Sequence, residues 1–272
     1  MARDPAVAGQ FYPSDPDKLR SMIDDYTPDV SGKRKVLGAL SPHAGYVFSG
    51  ETAGQVFGSI EVPKTVILIN PSHNYRQPPC ALWTGGPWKT PLGEAELHSG
   101  LQAALEAVPV VTADDRPHGP EHSGEVVVPF LQYHQPDLRL CVICVTMSAD
   151  YDDMRRLGEG IQQALVDKGE DDALVVASSD MSHERGSNAL EIVDDHDPMA
   201  INQMEKLDPK GLVTTCQSNR ISMCGVLPAA AMMVSVQERG GTTGELLARA
   251  TSADSPHGQG SYVVGYAGMI FH

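Results

Sequence analysis

The chain has 272 residues, 41 % of them hydrophobic and 20 % charged, the balance of an ordinary folded protein rather than a disordered one. Its formal charge of -15 is spread in short acidic clusters such as Asp152-Asp153, Glu170-Asp171-Asp172 and Asp194-Asp195, with no Lys/Arg-rich run, which argues against nucleic acid or an anionic membrane as partner. The opening Met-Ala-Arg-Asp-Pro lacks a basic stretch followed by an apolar core, no run of about 18 uncharged apolar residues occurs, and five cysteines suit reduced thiols better than a disulfide framework, so a cytoplasmic setting is expected.

Short β-branched apolar runs alternate with longer amphipathic stretches, the pattern of βα units. In chain order the pattern predicts a strand over 35–40, a helix over 49–59, a strand over 65–70, a helix over 97–107 and a strand over 108–112. A helix over 124–133, a strand over 138–145, a helix over 151–168 and a strand over 173–178 follow. Helices over 197–207, 211–217 and 225–239 and a strand over 261–270 complete the chain, with a turn at Gly258 to Gly260 leading into the last strand. The fold class is α/β with a sheet covered on both faces. No repeat occurs and the longest connection is the loop over 74–96, so one domain is expected over residues 1–272. That loop carries Trp83 and Trp88, and reads equally as a cover over a site or as a hairpin excursion packing two aromatics.

Three apolar runs each stop at a small polar cluster ending in histidine: Val36 to His43, Val66 to His73, and Leu174 through Asp180 to His183. All three are expected to converge at one sheet edge, because ligands of open α/β sheets bind beyond the carboxyl ends of the strands. One such histidine is ordinarily a capping residue; three in equivalent positions point to a site. Two neutral imidazoles plus one anionic ligand suit a divalent ion with open positions. The anionic ligand is either Asp180 or Cys224, the latter beside Gly225, which opens an expected helix whose N-terminus would favour a thiolate.

The other cysteines read as structural. Cys141 and Cys144 look like a CxxC pair, yet positions three apart on a strand point to opposite faces; Cys80 and Cys216 have no histidine or acidic neighbour in sequence. Glu121-His122-Ser123 opens an expected helix, with Glu121 or Ser123 as cap and His122 either structural or hydrogen-bonding a bound substrate. His98, His118, His134, His196, His257 and His272 read as solvated or structural. No G-x-S-x-G elbow, phosphate loop or strand-linked G-x-G-x-x-G fingerprint occurs, which removes support from hydrolase, NTPase and dinucleotide chemistry.

The sequence resembles the Memo family, whose bacterial and archaeal members are called AmmeMemoRadiSam system protein B. The resemblance runs from Arg3-Asp-Pro-Ala-Val-Ala-Gly-Gln-Phe-Tyr-Pro13 through Ser41-Pro-His-Ala-Gly-Tyr46, Asn70-Pro-Ser-His73 and Thr90-Pro-Leu-Gly93. It continues through Glu121-His-Ser123 with Pro129-Phe-Leu-Gln132, Ser178-Ser-Asp-Met-Ser-His183 and Ser222-Met-Cys-Gly225. The family is similar to class III extradiol ring-cleavage dioxygenases, which implies a central mixed sheet flanked by helices. On the matching positions it implies His43, His73 and Cys224 as metal ligands, with Asp180 and His183 beside them. A thiolate where the ring-cleaving enzymes have glutamate favours iron(II), or copper, over calcium or magnesium. Asn70, where glycine commonly precedes Pro-Ser-His, and Gly124, in place of a bulkier residue, are departures that leave every candidate ligand in place.

These readings give three functional expectations. The first is an oxidoreductase acting on a small molecule, with His183 as acid or base and His122 and Asp180 orienting ligands. The second, which the resemblance implies, is a non-catalytic module taking a phosphorylated peptide or a metal in the same cleft. The third, implied by the family name alone, is an accessory to a radical S-adenosylmethionine enzyme and an AMMECR1-like partner.

Overall fold

The computed structural model describes residues 1–258 and 260–272; Gln259, in the turn expected over 258–260, lies outside the described residues. Four strands form the parallel heart of the sheet: β1 (Gly38–Ser41), β2 (Thr65–Pro71), β7 (Arg139–Val145) and β8 (Leu174–Ser178). Every residue of β1, β2 and β8 is buried, as expected of continuous apolar runs covered on both faces. β1 pairs with β8, β8 with β2 and β2 with β7, all in parallel. Antiparallel strands flank them: β11 (Tyr262–Phe271) against β1, β10 (Gly244–Thr251) against β11, and β3 (Cys80–Leu82) against β7. With β6 (Val111–Ala113) at the far edge the order is β10-β11-β1-β8-β2-β7-β3-β6, a mixed sheet in a single α/β domain.

Two helical layers cover it. On one face lie α3 (Ser99–Glu106), α5 (Tyr151–Lys168), α6 (Ala189–Glu205), α7 (Pro209–Asn219) and α8 (Val226–Glu238); on the other lie α1 (Pro16–Tyr26), α2 (Tyr46–Ser59) and α4 (Val128–His134). The strands serve both layers by alternation: Ile67 and Ile69 of β2 face the first, Val66 and Leu68 the second. The same period of two sends Cys141 to the first layer while Cys144 lies within 3.6 Å of the Asn70 amide, so the CxxC spacing on β7 cannot form one site. All five cysteines are free.

Several elements differ from the sequence expectation. The loop over 74–96 is built from β3, β4 (Trp88–Thr90) and β5 (Gly93–Leu97), with Trp88 packed inside rather than covering a site. The strand expected over 108–112 shrinks to β6, which among the described residues pairs with short β3 alone. The helix expected from 124 begins at Val128, after a series of turns, so neither Glu121 nor Ser123 caps it. α6 begins at Ala189 and carries Pro198 inside it rather than at its first turn. α1 and β10 were not expected. Among the described residues no helix is long and apolar enough to cross a membrane.

Candidate metal centre

β1, β8 and β2 are adjacent and parallel, so their carboxyl ends coincide. Two residues beyond the ends at Ser41, Pro71 and Ser178 stand His43, His73 and Asp180. His122 arrives from the turns before α4, and Cys224 from the segment just before α8. There the chain passes so close to Ser178 and Ser179 that a Cβ on Gly225 would collide with the Ser178 carbonyl, and the Gly225 N–H donates to Ser179 Oγ at 2.8 Å. Ligating nitrogens of His43, His73 and His122 lie within 4.8 Å of one another. The Cys224 Sγ is 3.3 Å from His43 Nε2, so Cys224 adjoins one of the two histidines expected beside it. The group that converges is His43, His73 and His122, with His122 a donor in its own right and Cys224 at its His43 side.

The surrounding hydrogen bonds fix which nitrogen each ring presents. The Ser178 hydroxyl donates to the Ser123 carbonyl at 2.6 Å and therefore accepts from His43 Nδ1, also at 2.6 Å, which leaves His43 Nε2 with its lone pair toward the thiol. Glu121 acts likewise on His73: its carboxylate accepts the Nδ1–H at 2.8 Å and the backbone N–H at 2.7 Å, freeing Nε2. The same carboxylate accepts the backbone N–H groups of His122 and Ser123 at 3.1 and 3.0 Å, so one buried side chain sets two of the three histidines. His73 and His122 stack with centroids 4.8 Å apart, and His43 meets both edge-on at 5.5 Å.

Electrostatics follow from burial. Burial drives the His43 imidazole well below its usual pKa, aided by the neighbouring His122 and His73, so it is neutral. Burial also lowers His122, against the pull of Glu121. For His73 burial opposes, but the hydrogen bond and charge of Glu121 prevail and raise it. Glu121 is correspondingly held at about 2, the bonds from His73 and Ser123 outweighing burial. The Cys224 thiol is pushed up by burial and by the charge of Asp180, which outweigh the hydrogen bonds from the Asp180 backbone and Ser179, the opposite direction from the lowering expected in sequence. Asp180, itself raised by burial, accepts the backbone N–H groups of His43 and Ala44 at 2.8 and 3.2 Å and so holds the turn that presents His43.

A cavity of about 360 Å³ opens beside the cluster, lined by Phe11, Phe48, Tyr262 and Tyr266 together with Asp180, His122 and His183. His183 donates Nδ1–H to the Met181 carbonyl at 2.9 Å, and among the described residues its Nε2 has no hydrogen-bond partner. His257, read from sequence as solvated or structural, also lines this cavity.

Two residues that sequence reasoning passed over support the site from behind. Arg3 donates to the carbonyls of His118 and Glu121 at 2.9 and 2.6 Å and pairs with Glu125 at 2.7 Å, and both ends of that pair are buried. Glu125 in turn accepts from the N–H groups of Ala6 and Val7 and from the Tyr12 hydroxyl, at 2.7, 2.9 and 2.8 Å. Residues 3–12 thus strap the segment carrying Glu121 and His122, and Phe11 of that strap packs 5.0 Å from the His122 ring. The two departures noted in sequence also meet here, since the Asn70 amide fills the space that a side chain at Gly124 would need.

A sheet-edge cluster of three histidines and one thiol on a mixed α/β sheet defines a class of candidate metal-binding proteins. A model of the Memo family, described as Memo-like protein, matches residues 3–270, and the chain belongs to that family. Among its relatives are a MEMO1 family protein of Methanopyrus kandleri, 38 % identical over 100 % of this chain and 99 % of that one. Another, of Aquifex aeolicus, is 37 % identical over 99 % and 98 % of the two chains. The crystal structure of an uncharacterized protein from Escherichia coli K12 shares the fold alone, with a TM-score of 0.54 and 14 % identity over 86 % of this chain and 99 % of that one.

Proposed function

We propose that the chain binds one redox-active metal ion, iron(II) or else copper, through His43, His73 and Cys224, and acts as an oxidoreductase on a small molecule in the adjoining cavity. The observation that carries the reading is the convergence of three imidazole donors within 4.8 Å, beside a thiol 3.3 Å from one of them. The donors fit such an ion: two neutral nitrogens and one sulfur that becomes anionic on binding match a borderline metal, and His122 offers a further nitrogen. Bound there, the ion would supply Lewis-acid and redox chemistry.

The chain's own residues then have separate tasks. Ser178 and Glu121 hold the rings of His43 and His73 in the tautomer that offers Nε2. Asp180 anchors the His43 backbone, and the aromatic residues Phe11, Phe48, Tyr262 and Tyr266 offer an apolar wall against which the reacting molecule would pack. His183 has Nε2 free to accept or return a proton at the cavity wall.

The test is metal content by mass spectrometry on anaerobically purified protein beside His43→Ala, Cys224→Ala and His122→Ala, each checked for folding by circular dichroism. Near-stoichiometric iron or copper is expected in the parent and in His122→Ala, and none in the other two. Full binding in His43→Ala and Cys224→Ala would refute the ligand set, and no metal in the parent would refute the metal reading.

A further inference from the structure

The corner that joins β8 to β9 (His183–Arg185) carries both Asp180 and His183, and it is held from a direction the site itself does not use. Met181 donates its N–H to the Gly265 carbonyl and Gly265 donates its N–H to the Ser182 carbonyl, both at 2.8 Å, so two residues of the corner are stitched to one residue of β11. The remaining donor, the Ser182 N–H, goes to Asp197 Oδ1 at 3.1 Å. Asp197 projects from α6, is fully buried, and stands where a Cβ on Gly265 would collide with its second oxygen. Glycine at 265 is therefore what lets the carboxyl reach the corner.

A fully buried carboxyl is costly to keep, and burial raises its pKa here. Packing alone would be better served by an apolar residue at this position on α6. Removing Asp197 would leave the Ser182 N–H without a partner in the middle of the only two-residue link between Asp180 and His183. The His183 ring depends on that link directly, because its Nδ1–H is spent on the carbonyl of Met181.

We infer that Asp197 is a positioning residue: by holding the Ser182 N–H it fixes the Met181 carbonyl, and so the orientation and tautomer in which His183 faces the cavity. The inference rests on the proposed role of His183 at that cavity, but its test needs neither metal nor turnover.

Nitrogen-15 spectra of the histidine side chains, recorded on the full chain freed of paramagnetic metal by a chelator, report the tautomer of each ring. His183, assigned by its loss in His183→Gln, is expected as the Nδ1–H form. His98 is the internal control, because its Nδ1 accepts the Leu101 N–H and its Nε2–H goes to Glu170, which fixes the opposite tautomer. Asp197→Ala is expected to abolish the single Nδ1–H signature of His183 and leave His98 unchanged. Asp197→Asn, which keeps an oxygen for the Ser182 N–H, is expected to restore it. Gly265→Ala, which displaces the carboxyl without removing it, should reproduce Asp197→Ala, and if Asp197→Ala fails to fold, the contrast between Asp197→Asn and Gly265→Ala decides. An unchanged His183 signature in Asp197→Ala and Gly265→Ala, even with a lowered melting temperature, would reduce Asp197 to a packing residue and overturn the inference. An Asn variant no better than Ala would do the same. Metal content measured on the same preparations before chelation tests the metal reading separately.

Discussion

Glu121 concentrates more of the site than any other single side chain. Its two oxygens accept four N–H groups, from the His73 ring, the His73 backbone, His122 and Ser123, and a glutamine has only one oxygen to offer them. Glu121→Gln is therefore expected to fold but to bind metal roughly 10- to 100-fold more weakly, the usual effect of removing a carboxylate behind a ligating histidine. Competition against a chromophoric chelator measures this, and an unchanged affinity would show that His73 needs no fixed tautomer. Protonation gives a second residue-scale prediction. His118 is buried without exposure, and burial lowers it from its ordinary 6.5 to about 4. Between those values the unfolded chain binds a proton that the folded chain refuses, so stability falls as pH drops from 6.5 toward 4 and the loss is complete below it. The whole effect is on the order of 3 kcal/mol. His118→Gln, which can still donate to the Ala81 carbonyl that His118 Nε2 meets at 3.0 Å, should flatten that part of the urea-stability profile. The same slope in both proteins would assign the acid loss to other groups.

At the scale of elements, the strap formed by residues 3–12 is the least expected device. Arg3→Met leaves Glu125 buried without its cation, a change that costs about 3 to 5 kcal/mol where a buried pair is broken. Arg3→Met combined with Glu125→Gln should recover much of that, because the amide oxygen can still accept from Ala6, Val7 or Tyr12. Urea titrations of the two single variants and the double give the coupling; additive losses would mean the pair is not what secures the strap. Nothing at the sequence level announces this pairing, since Arg3 and Glu125 are 122 residues apart. The central strands and their histidines were legible because an uninterrupted apolar run followed by a short polar cluster is a local signal. α1 was missed because its apolar positions are few, Leu19 and Ile23 being its buried ones, although Asp15 caps it and Pro16 opens it. β10 was missed because it lies at the sheet edge, where most of its residues are only partly buried and no alternation is enforced. In α6 the Asp-Pro step at 197–198 reads as a helix start, yet the helix passes through it and places Asp197 against the corner at Ser182. His122 was visible only as a possible substrate contact, because its place among the donors depends on Glu121 reaching from the same turn to His73.

Across the whole molecule, the two core layers are opposite faces of the same strands, so neither can unfold while the other stays intact. In β8, Val175 and Ala177 belong to one layer and Leu174 and Val176 to the other; a strand that leaves one layer abandons both. Leu157→Ala, in α5 on one face, and Phe57→Ala, in α2 on the other, should each cost about 2 to 5 kcal/mol by deleting fully buried side chains. Each loss should appear in one cooperative transition, seen alike by far-ultraviolet circular dichroism and by fluorescence of Trp83 and Trp88. Both tryptophans pack in the layer that contains Phe57, so fluorescence reports that side directly while the helices of both sides dominate the dichroism. Transitions that separate in the Leu157 variant, with fluorescence melting later, would divide the chain into two units and contradict the single sheet. The proposed ion would sharpen the same test: bound at 100 times its dissociation constant, it would raise stability by about 2.7 kcal/mol. His43 and His73 extend from β1 and β2, the strands that both layers share, so that increment should shift the two probes together.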